Sequence, residues 1–168
     1  MTLSLQVKEK QVSYDARHET MANRLCNKLT EGSNSAVYKI FPNYKDLMIF
    51  AAMVGKKYDN FKPCGKNKKS ITLDTYQNKA SSPDAQEQQH VMMYLLQLSK
   101  NKHNFNDLKE ENIDKVIETF EGYCGGGLEI IDDWLAKSAF NPEALLAEII
   151  NILPEECPTG TTGIQNPF

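Results

Sequence analysis

Eight apolar residues in succession, Leu47–Val54, constrain this chain more than any other feature of its sequence. Asn43 precedes the run and can cap a helix, whereas Gly55 follows it and is typical of a helix end. A helix that is apolar all round must be covered on every side. The run is also far shorter than the roughly 20 apolar residues that span a bilayer. We therefore predict a helix from Tyr44 to Gly55 in the middle of a globular fold.

Several other segments repeat apolar residues at the spacing of an amphipathic helix. Ser82 and Asn141 stand at helix N-cap positions, and each is followed by a proline, which favours the first helical turn. The predicted helices are residues 14–29, a helix opened by Ser82 whose apolar face is Val91, Tyr94, Leu95 and Leu98, residues 107–120, residues 128–137, and a final helix that bears Leu145, Leu146, Ile149, Ile150 and Leu153.

Three consecutive glycines, Gly125–Gly127, lie between two of these predicted helices. They lack the G-x-x-x-x-G-K-[ST] spacing of a phosphate-binding loop, and no predicted strand precedes them. Because glycine lets the backbone turn sharply, we predict a tight turn between two helices at this point.

Strand signals are few. Val37–Phe41 is a short β-branched and aromatic run, and Ile71–Tyr76 alternates weakly, so these two segments could pair. The predicted fold class is mainly α: a compact single-domain bundle of about five or six helices with at most one short two-stranded β element. We predict an N-terminal extension at residues 1–13, one helical domain at 14–153 and a flexible C-terminal tail at 154–168.

The composition, with 40% hydrophobic and 24% charged residues, is that of a globular protein. The first residues contain no apolar signal segment, so we expect a cytoplasmic protein without a membrane span. The four cysteines, at positions 26, 64, 124 and 157, are too far apart for a zinc motif, and the three histidines are equally scattered. We therefore predict reduced thiols, no metal site and no cofactor.

Charge is divided along the chain. Residues 1–106 carry 16 Lys and Arg against 9 Asp and Glu, whereas residues 107–168 carry 3 against 13. Residues 56–69, the lysine segment, are the densest basic stretch and are predicted to form an exposed loop.

Lysines contact phosphates and aromatic rings stack on unpaired bases. The predicted nucleic-acid-binding residues are Lys56, Lys57, Tyr58, Lys62, Lys66, Lys68 and Lys69. The alternative is that the basic and acidic parts pair with each other, or that the lysines only solubilise a loop.

No nucleophile, phosphate loop or acid pair with catalytic spacing stands out, so no catalytic residue is predicted and a non-enzymatic role is favoured. The competing hypothesis is a small metal-dependent nuclease whose site is assembled from dispersed residues such as Asp74, Asp84 and Lys69.

The segment Phe41–Gly55, the lysine segment and the later run Tyr123–Ile130 resemble a family of small bacterial proteins associated with DNA phosphorothioation (dnd) defence loci. The resemblance spans roughly residues 20–153 and rests on an apolar helix that ends in glycine and on a glycine-rich stretch before Leu-Glu-Ile. It implies an accessory role in DNA modification or anti-phage defence, with other proteins of the system and DNA as partners, and it transfers no catalytic residues. The oligomeric state stays open.

Overall fold

The computed structural model describes residues 4–26, 40–78, 89–102, 104–138 and 141–152. It confirms a mainly helical fold with one small two-stranded antiparallel sheet. The elements are α1 (Leu5–Lys8), β1 (Gln11–Asp15), α2 (Glu19–Leu25), α3 (Tyr44–Lys57), β2 (Lys68–Thr72), α4 (Thr75–Asn78), α5 (Val91–Lys100), α6 (Ile113–Lys137) and α7 (Pro142–Ile152). Three 3-10 turns lie at Ala16–His18, Phe105–Leu108 and Glu110–Asn112. No helix in the described ranges is long and apolar enough to cross a membrane.

Helix α3 lies in the middle of the fold, as its apolar run predicts, but it is not covered on every side, because the Met53 side chain is 45% exposed. Its first turn is capped by the Asn43 side chain, which accepts a hydrogen bond from the backbone N–H of Asp46 at 3.1 Å. Leu47 and Ala51 are fully buried. The helix continues through Gly55 to Lys57, so the prediction that Gly55 ends it is wrong.

Helix α6 packs along α3 and runs without interruption through all three glycines. The predicted turn at Gly125–Gly127 is therefore wrong. A Cβ on Gly127 would collide with the carbonyl oxygen of Ala51, and one on Gly55 would collide with the carbonyl oxygen of Tyr123. The two backbones approach so closely that only glycine fits between them, and close packing offsets the roughly 1 kcal/mol that glycine costs a helix relative to alanine.

The sheet pairs β1 with β2, with Val12 opposite Ile71 and Tyr14 opposite Lys69. Tyr14 lies in β1 and α2 begins only at Glu19, so the predicted helix is wrong at Tyr14. In the described residues Ile71 and Thr72 pair with β1, and residues 40–41 do not pair with them as predicted, because the N–H groups of Ile40 and Phe41 donate to the carbonyl of Leu25. Residues 37–39 lie outside the described residues. Val12 and Tyr14 are buried, so the strand supplies core residues that a helix cannot place on one face.

Helix α5 buries Met93, Tyr94, Leu96 and Gln97, whereas the Leu95 side chain is 51% exposed. Of the predicted apolar face, which Met92 and Leu96 were expected to widen, Tyr94 and Leu96 are buried, but the prediction is wrong for Leu95 and did not include Met93 or Gln97. Gln97 is turned inward because it is hydrogen-bonded: its side-chain amide donates to Asp107 at 2.9 Å. The Ser82 cap lies outside the described residues.

Asp107 does not begin a helix as predicted, because the chain passes through two 3-10 turns before α6 starts at Ile113. Its carboxylate is buried and accepts hydrogen bonds from Gln97, from Asn101 at 3.0 Å and from Lys115 at 3.2 Å. These donors hold the pKa of Asp107 below its ordinary value, the Asn101 amide most of all.

Val7 and Val12, from the segment set aside as an N-terminal extension, lie in the same hydrophobic core as α3 and α6. The division into extension, domain and tail stays a prediction, and residues 153–168 lie outside the described residues.

Candidate nucleic-acid interface

The lysine segment is not one loop, and that prediction is wrong at both ends. Lys56 and Lys57 form the last turn of α3, and Lys68 and Lys69 belong to β2. Only residues 58–67 connect the two elements. The helix end and the strand edge therefore fix the positions of four of the six lysines.

The connection is held against α6 by its own backbone. Asp59 has a positive φ of 51°, which turns the chain back after α3. The Lys62 N–H then donates to the carbonyl of Gly122 at 2.8 Å, and the Asn60 side-chain amide donates to the carbonyl of Gly126 at 3.0 Å. A Cβ on Gly125 would come within 2.5 Å of the Lys62 carbonyl oxygen. Because the three glycines have no side chains, both α3 and residues 60–62 pack directly against the backbone of α6.

Two of the lysines form ion pairs with acidic residues. The Lys62 pair joins the basic and acidic parts of the chain, as the alternative in the sequence analysis expects, whereas Lys69 pairs with a residue of the basic part itself. Lys62 lies 2.5 Å from Glu129, and Lys69 lies 3.1 Å from Glu19. Lys62, together with Asn60 and Arg17, also lowers the pKa of Glu129. These pairs reduce the positive charge that Lys62 and Lys69 present to a ligand.

Lys56 lies against an aromatic ring. Its ammonium is 5.0 Å from the ring centroid of Tyr123 and 3.3 Å from the hydroxyl of the same residue. A cation held over a ring in this way is partly turned from solvent. Lys56 is therefore a packing residue at the end of α3 as well as a positive charge.

Three lysines of the segment are exposed and form no ion pair with any residue in the described ranges: Lys57, Lys66 and Lys68. They are the groups best placed to contact an anion from solvent, although the charge of Lys68 also acts on the Glu121 carboxylate and partly offsets the rise in the pKa of Glu121. Arg17, which the sequence analysis missed, adds a cation beside the segment, because Asn67 accepts a hydrogen bond from the neighbouring Ala16 N–H. The Arg17 guanidinium forms ion pairs with the carboxylates of Asp15 and Glu129, at N–O distances of 3.8 and 3.7 Å.

The two aromatic residues of the connection have different roles. Phe61 packs edge-on against Tyr123, with ring centroids 5.2 Å apart, and the Lys100 ammonium lies 3.8 Å from its ring centroid. It anchors the segment to the core. The ring of Tyr58 lies edge-on to that of Trp134, with the ring centroids 6.1 Å apart. The Tyr58 side chain is nevertheless 51% exposed, so part of its ring is accessible to a ligand from solvent.

Behind the segment, the half-buried Glu121 carboxylate accepts a hydrogen bond from the Ser13 N–H at 2.6 Å. Burial raises the pKa of Glu121, and it also raises the pKa of the Cys64 and Cys124 thiols. Thiols with a raised pKa remain protonated at neutral pH and are poor nucleophiles.

Two of the three residues of the nuclease hypothesis lie in the described part of the chain, and each forms an ion pair with a different residue. Asp74 lies 3.9 Å from Lys8, Lys69 pairs with Glu19, and Asp84 lies outside the described residues. Over the part of the chain that the structure describes, no three His, Cys, Asp or Glu side chains are grouped so that they could hold a metal ion.

A sequence model of the family described as DNA sulphur modification system-associated protein 4 matches residues 17–161. Because the match covers most of the chain, the protein belongs to this family, which confirms the resemblance found in the sequence. No curated protein and no solved structure matches it. The family places the chain in association with a DNA sulphur modification system, and other proteins of that system are its expected partners.

Proposed function

We propose that this protein is a non-enzymatic accessory component of a DNA sulphur modification system that binds a nucleic-acid backbone through the lysine segment and contacts other proteins of the system. Its family membership supports the setting. The observation that carries the DNA contact is the exposure of Lys57, Lys66 and Lys68 without an ion-pair partner among the described residues, on a segment fixed to α6.

A fixed backbone matters for this proposal because a surface lysine on a mobile loop loses conformational entropy when it binds. Here the hydrogen bonds of Asn60 and Lys62 to α6 already order the connection. Contacts of this kind read phosphates and not bases, so we expect weak sequence preference and a strong dependence on salt.

The test is the affinity for duplex DNA at a series of salt concentrations, measured by fluorescence anisotropy. The double variant Lys66→Ala, Lys68→Ala should bind more weakly across all sequences and flatten the salt slope by about two units, at roughly 0.9 per phosphate contact. The matched control is Lys109→Ala, Lys137→Ala, which removes the same charge from two exposed positions of the acidic part.

Equal losses in both variants would mean that net charge alone drives binding and would contradict the assignment to the lysine segment. Absence of binding by the unmodified chain at about 50 mM salt would contradict DNA contact altogether. Cleavage of plasmid DNA in the presence of magnesium or manganese would instead favour the nuclease hypothesis.

A further inference from the structure

Tyr58 carries an aromatic ring that is exposed on a fixed backbone. Its side chain is 51% exposed, whereas Phe61, the other ring of the lysine segment, packs against the core. The Tyr58 N–H donates to the carbonyl of Val54 at 3.1 Å. Two residues later, the Asn60 N–H donates to the carbonyl of Gly55 at 2.8 Å. These bonds tie the chain on both sides of the ring to the last turns of α3.

Trp134 holds the Tyr58 ring in one orientation. Trp134 belongs to α6, is partly buried and packs against the hydrophobic core. The planes of the two rings meet at 71°, so the rings contact each other edge-on and are not stacked. The exposed part of the Tyr58 ring is therefore ordered before any ligand arrives, and it is available to a flat ligand from solvent.

Positive charge accompanies this ring. Lys57 directly precedes Tyr58, is exposed and forms no ion pair with any residue in the described ranges. The whole lysine segment contains six lysines and one acidic residue, Asp59. A ligand that covers Tyr58 therefore meets an aromatic surface and a cation next to each other.

This combination matches the chemistry of an unpaired nucleotide. A nucleotide joins a flat base to a negatively charged phosphate, and an aromatic ring can stack on the base while a lysine contacts the phosphate. In a duplex the neighbouring bases cover both faces of each base, so a ring on a protein surface has no base to stack on. The ring of Tyr58 therefore favours a single strand over a duplex.

We propose that Tyr58 and Lys57 bind single-stranded DNA, with an unpaired base stacked on the Tyr58 ring and a phosphate beside the Lys57 ammonium. Trp134 is a positioning residue, because it orients the ring. The inference rests on the proposed function, since it names the form of DNA that the lysine segment prefers.

The test measures the affinity of the full chain for three labelled DNA probes of equal length by fluorescence anisotropy. The probes are a single strand of mixed sequence, its duplex, and an abasic strand that keeps the phosphates but lacks the bases. We expect the single strand to bind most tightly. Tyr58→Ala should weaken single-strand binding by at least about fivefold, which is the lower end of the effect of one base–aromatic stack. Binding of the duplex and of the abasic strand should change little.

Three further variants separate stacking from a structural role of Tyr58. Tyr58→Phe keeps the ring and should keep the affinity for the single strand. Tyr58→Leu keeps an apolar side chain against Trp134 but has no flat ring, so it should bind as weakly as Tyr58→Ala. The matched control is Phe105→Ala, which removes a ring that is 70% exposed on a 3-10 turn outside the lysine segment and should leave the affinity unchanged. Circular dichroism checks that each variant is folded.

Salt dependence and fluorescence provide two independent readouts. Tyr58→Ala should leave the salt slope unchanged, because stacking neutralises no phosphate, whereas Lys57→Ala should flatten the slope for the single strand by about 0.7. Trp134 is the single tryptophan of the sequence, so its fluorescence reports on this position. The unlabelled single strand should quench that fluorescence more strongly than the abasic strand does.

Equal affinity for the single strand and the abasic strand, or equal single-strand affinity of the unmodified chain and Tyr58→Ala, would overturn the proposal. An RNA strand of the same sequence that binds more tightly would overturn the assignment to DNA. A polyglutamate peptide that binds as tightly as the single strand, and loses its affinity in Tyr58→Ala, would assign the surface to an acidic protein segment instead.

The same measurements distinguish failure of this inference from failure of the proposed function. Loss of duplex affinity in Lys66→Ala, Lys68→Ala, with no effect of Tyr58→Ala on the single strand, would refute the stacking and leave the lysine contacts standing. Absence of binding to all three DNA probes would refute both.

Discussion

At the scale of single residues, two carboxylates have pKa values shifted in opposite directions. Asp107 accepts three side-chain hydrogen bonds, and its pKa is lowered. Glu121 accepts one backbone hydrogen bond in a half-buried position, and burial raises its pKa. Their contributions to the pH dependence of stability therefore have opposite signs.

For Asp107, the folded chain binds the carboxyl proton less readily than the unfolded chain. Its stabilisation is therefore fully present above the ordinary pKa of 3.8 and is lost as the pH falls through the lower folded value. We predict that Asp107→Asn lowers the melting temperature at pH 7 and that the difference from the unmodified chain shrinks toward pH 3. Thermal unfolding followed by circular dichroism over this range measures it.

Glu121→Gln is the control of opposite sign. Between the ordinary pKa of 4.5 and the raised folded value, the folded chain holds more protons, so the contribution of Glu121 to stability falls as the pH rises. The stability of the unmodified chain relative to Glu121→Gln should therefore fall with rising pH, whereas relative to Asp107→Asn it should rise. Parallel trends for the two variants would contradict the hydrogen-bonding account of Asp107.

At the scale of elements, the glycines of α6 yield a prediction about the sign of a stability change. Alanine is favoured over glycine in a helix by about 1 kcal/mol, so an exposed glycine would gain stability from substitution. Gly127→Ala should instead lose about 1 to 3 kcal/mol, because the new Cβ would meet the backbone of Ala51, which cannot rotate away. Urea unfolding measures the change.

Ala136→Gly provides the comparison within the same helix, since Ala136 is exposed near the end of α6. It should lose roughly 1 kcal/mol from helix propensity alone. A Gly127→Ala variant that is more stable than the unmodified chain would contradict the close approach of the α3 and α6 backbones at this position.

The same glycines show where prediction from the sequence ends. Local rules predict the helix caps at Asn43 and Asn141 and the central position of α3, and the structure confirms all three. The Asn141 side chain accepts a hydrogen bond from the Glu143 N–H at 3.0 Å. A run of glycines is compatible with two different structures: a sharp turn between two helices, or a continuous helix that another backbone approaches closely. The choice depends on Ala51 and Asn60, which are distant in sequence, so periodicity in one segment cannot make it.

For the molecule as a whole, the sequence predicts where basic and acidic residues lie along the chain but not which of them form ion pairs. The sequence locates the basic and acidic parts, yet Lys62 and Glu129 meet only because residues 60–62 lie across α6. The seven candidate residues accordingly differ in exposure and in partners, and their role in binding DNA stays a prediction. Arg17 could not be identified from the sequence because it is distant in sequence from the lysine segment; it lies in the 3-10 turn after β1, and the pairing of β1 with β2 brings that turn next to the segment.

The lysine segment and the hydrogen bonds of Asp107 are built from different elements, and this leads to a prediction about their independence. The lysine segment lies on the end of α3 and on β2, whereas Asp107 accepts hydrogen bonds from Gln97 of α5 and Lys115 of α6. Sites without shared residues usually contribute additively. A chain that combines Lys66→Ala, Lys68→Ala with Asp107→Asn should therefore show both the weaker DNA binding of the lysine variant and the lower melting temperature of Asp107→Asn. Titration with duplex DNA and thermal unfolding at pH 7 measure the two effects, and the DNA affinity should lie within about twofold of the value in Lys66→Ala, Lys68→Ala, since distant sites add to within about 0.3–0.5 kcal/mol. A DNA affinity that falls further when Asp107→Asn is added would mean that the lysine segment and the Asp107 hydrogen bonds are coupled through the core.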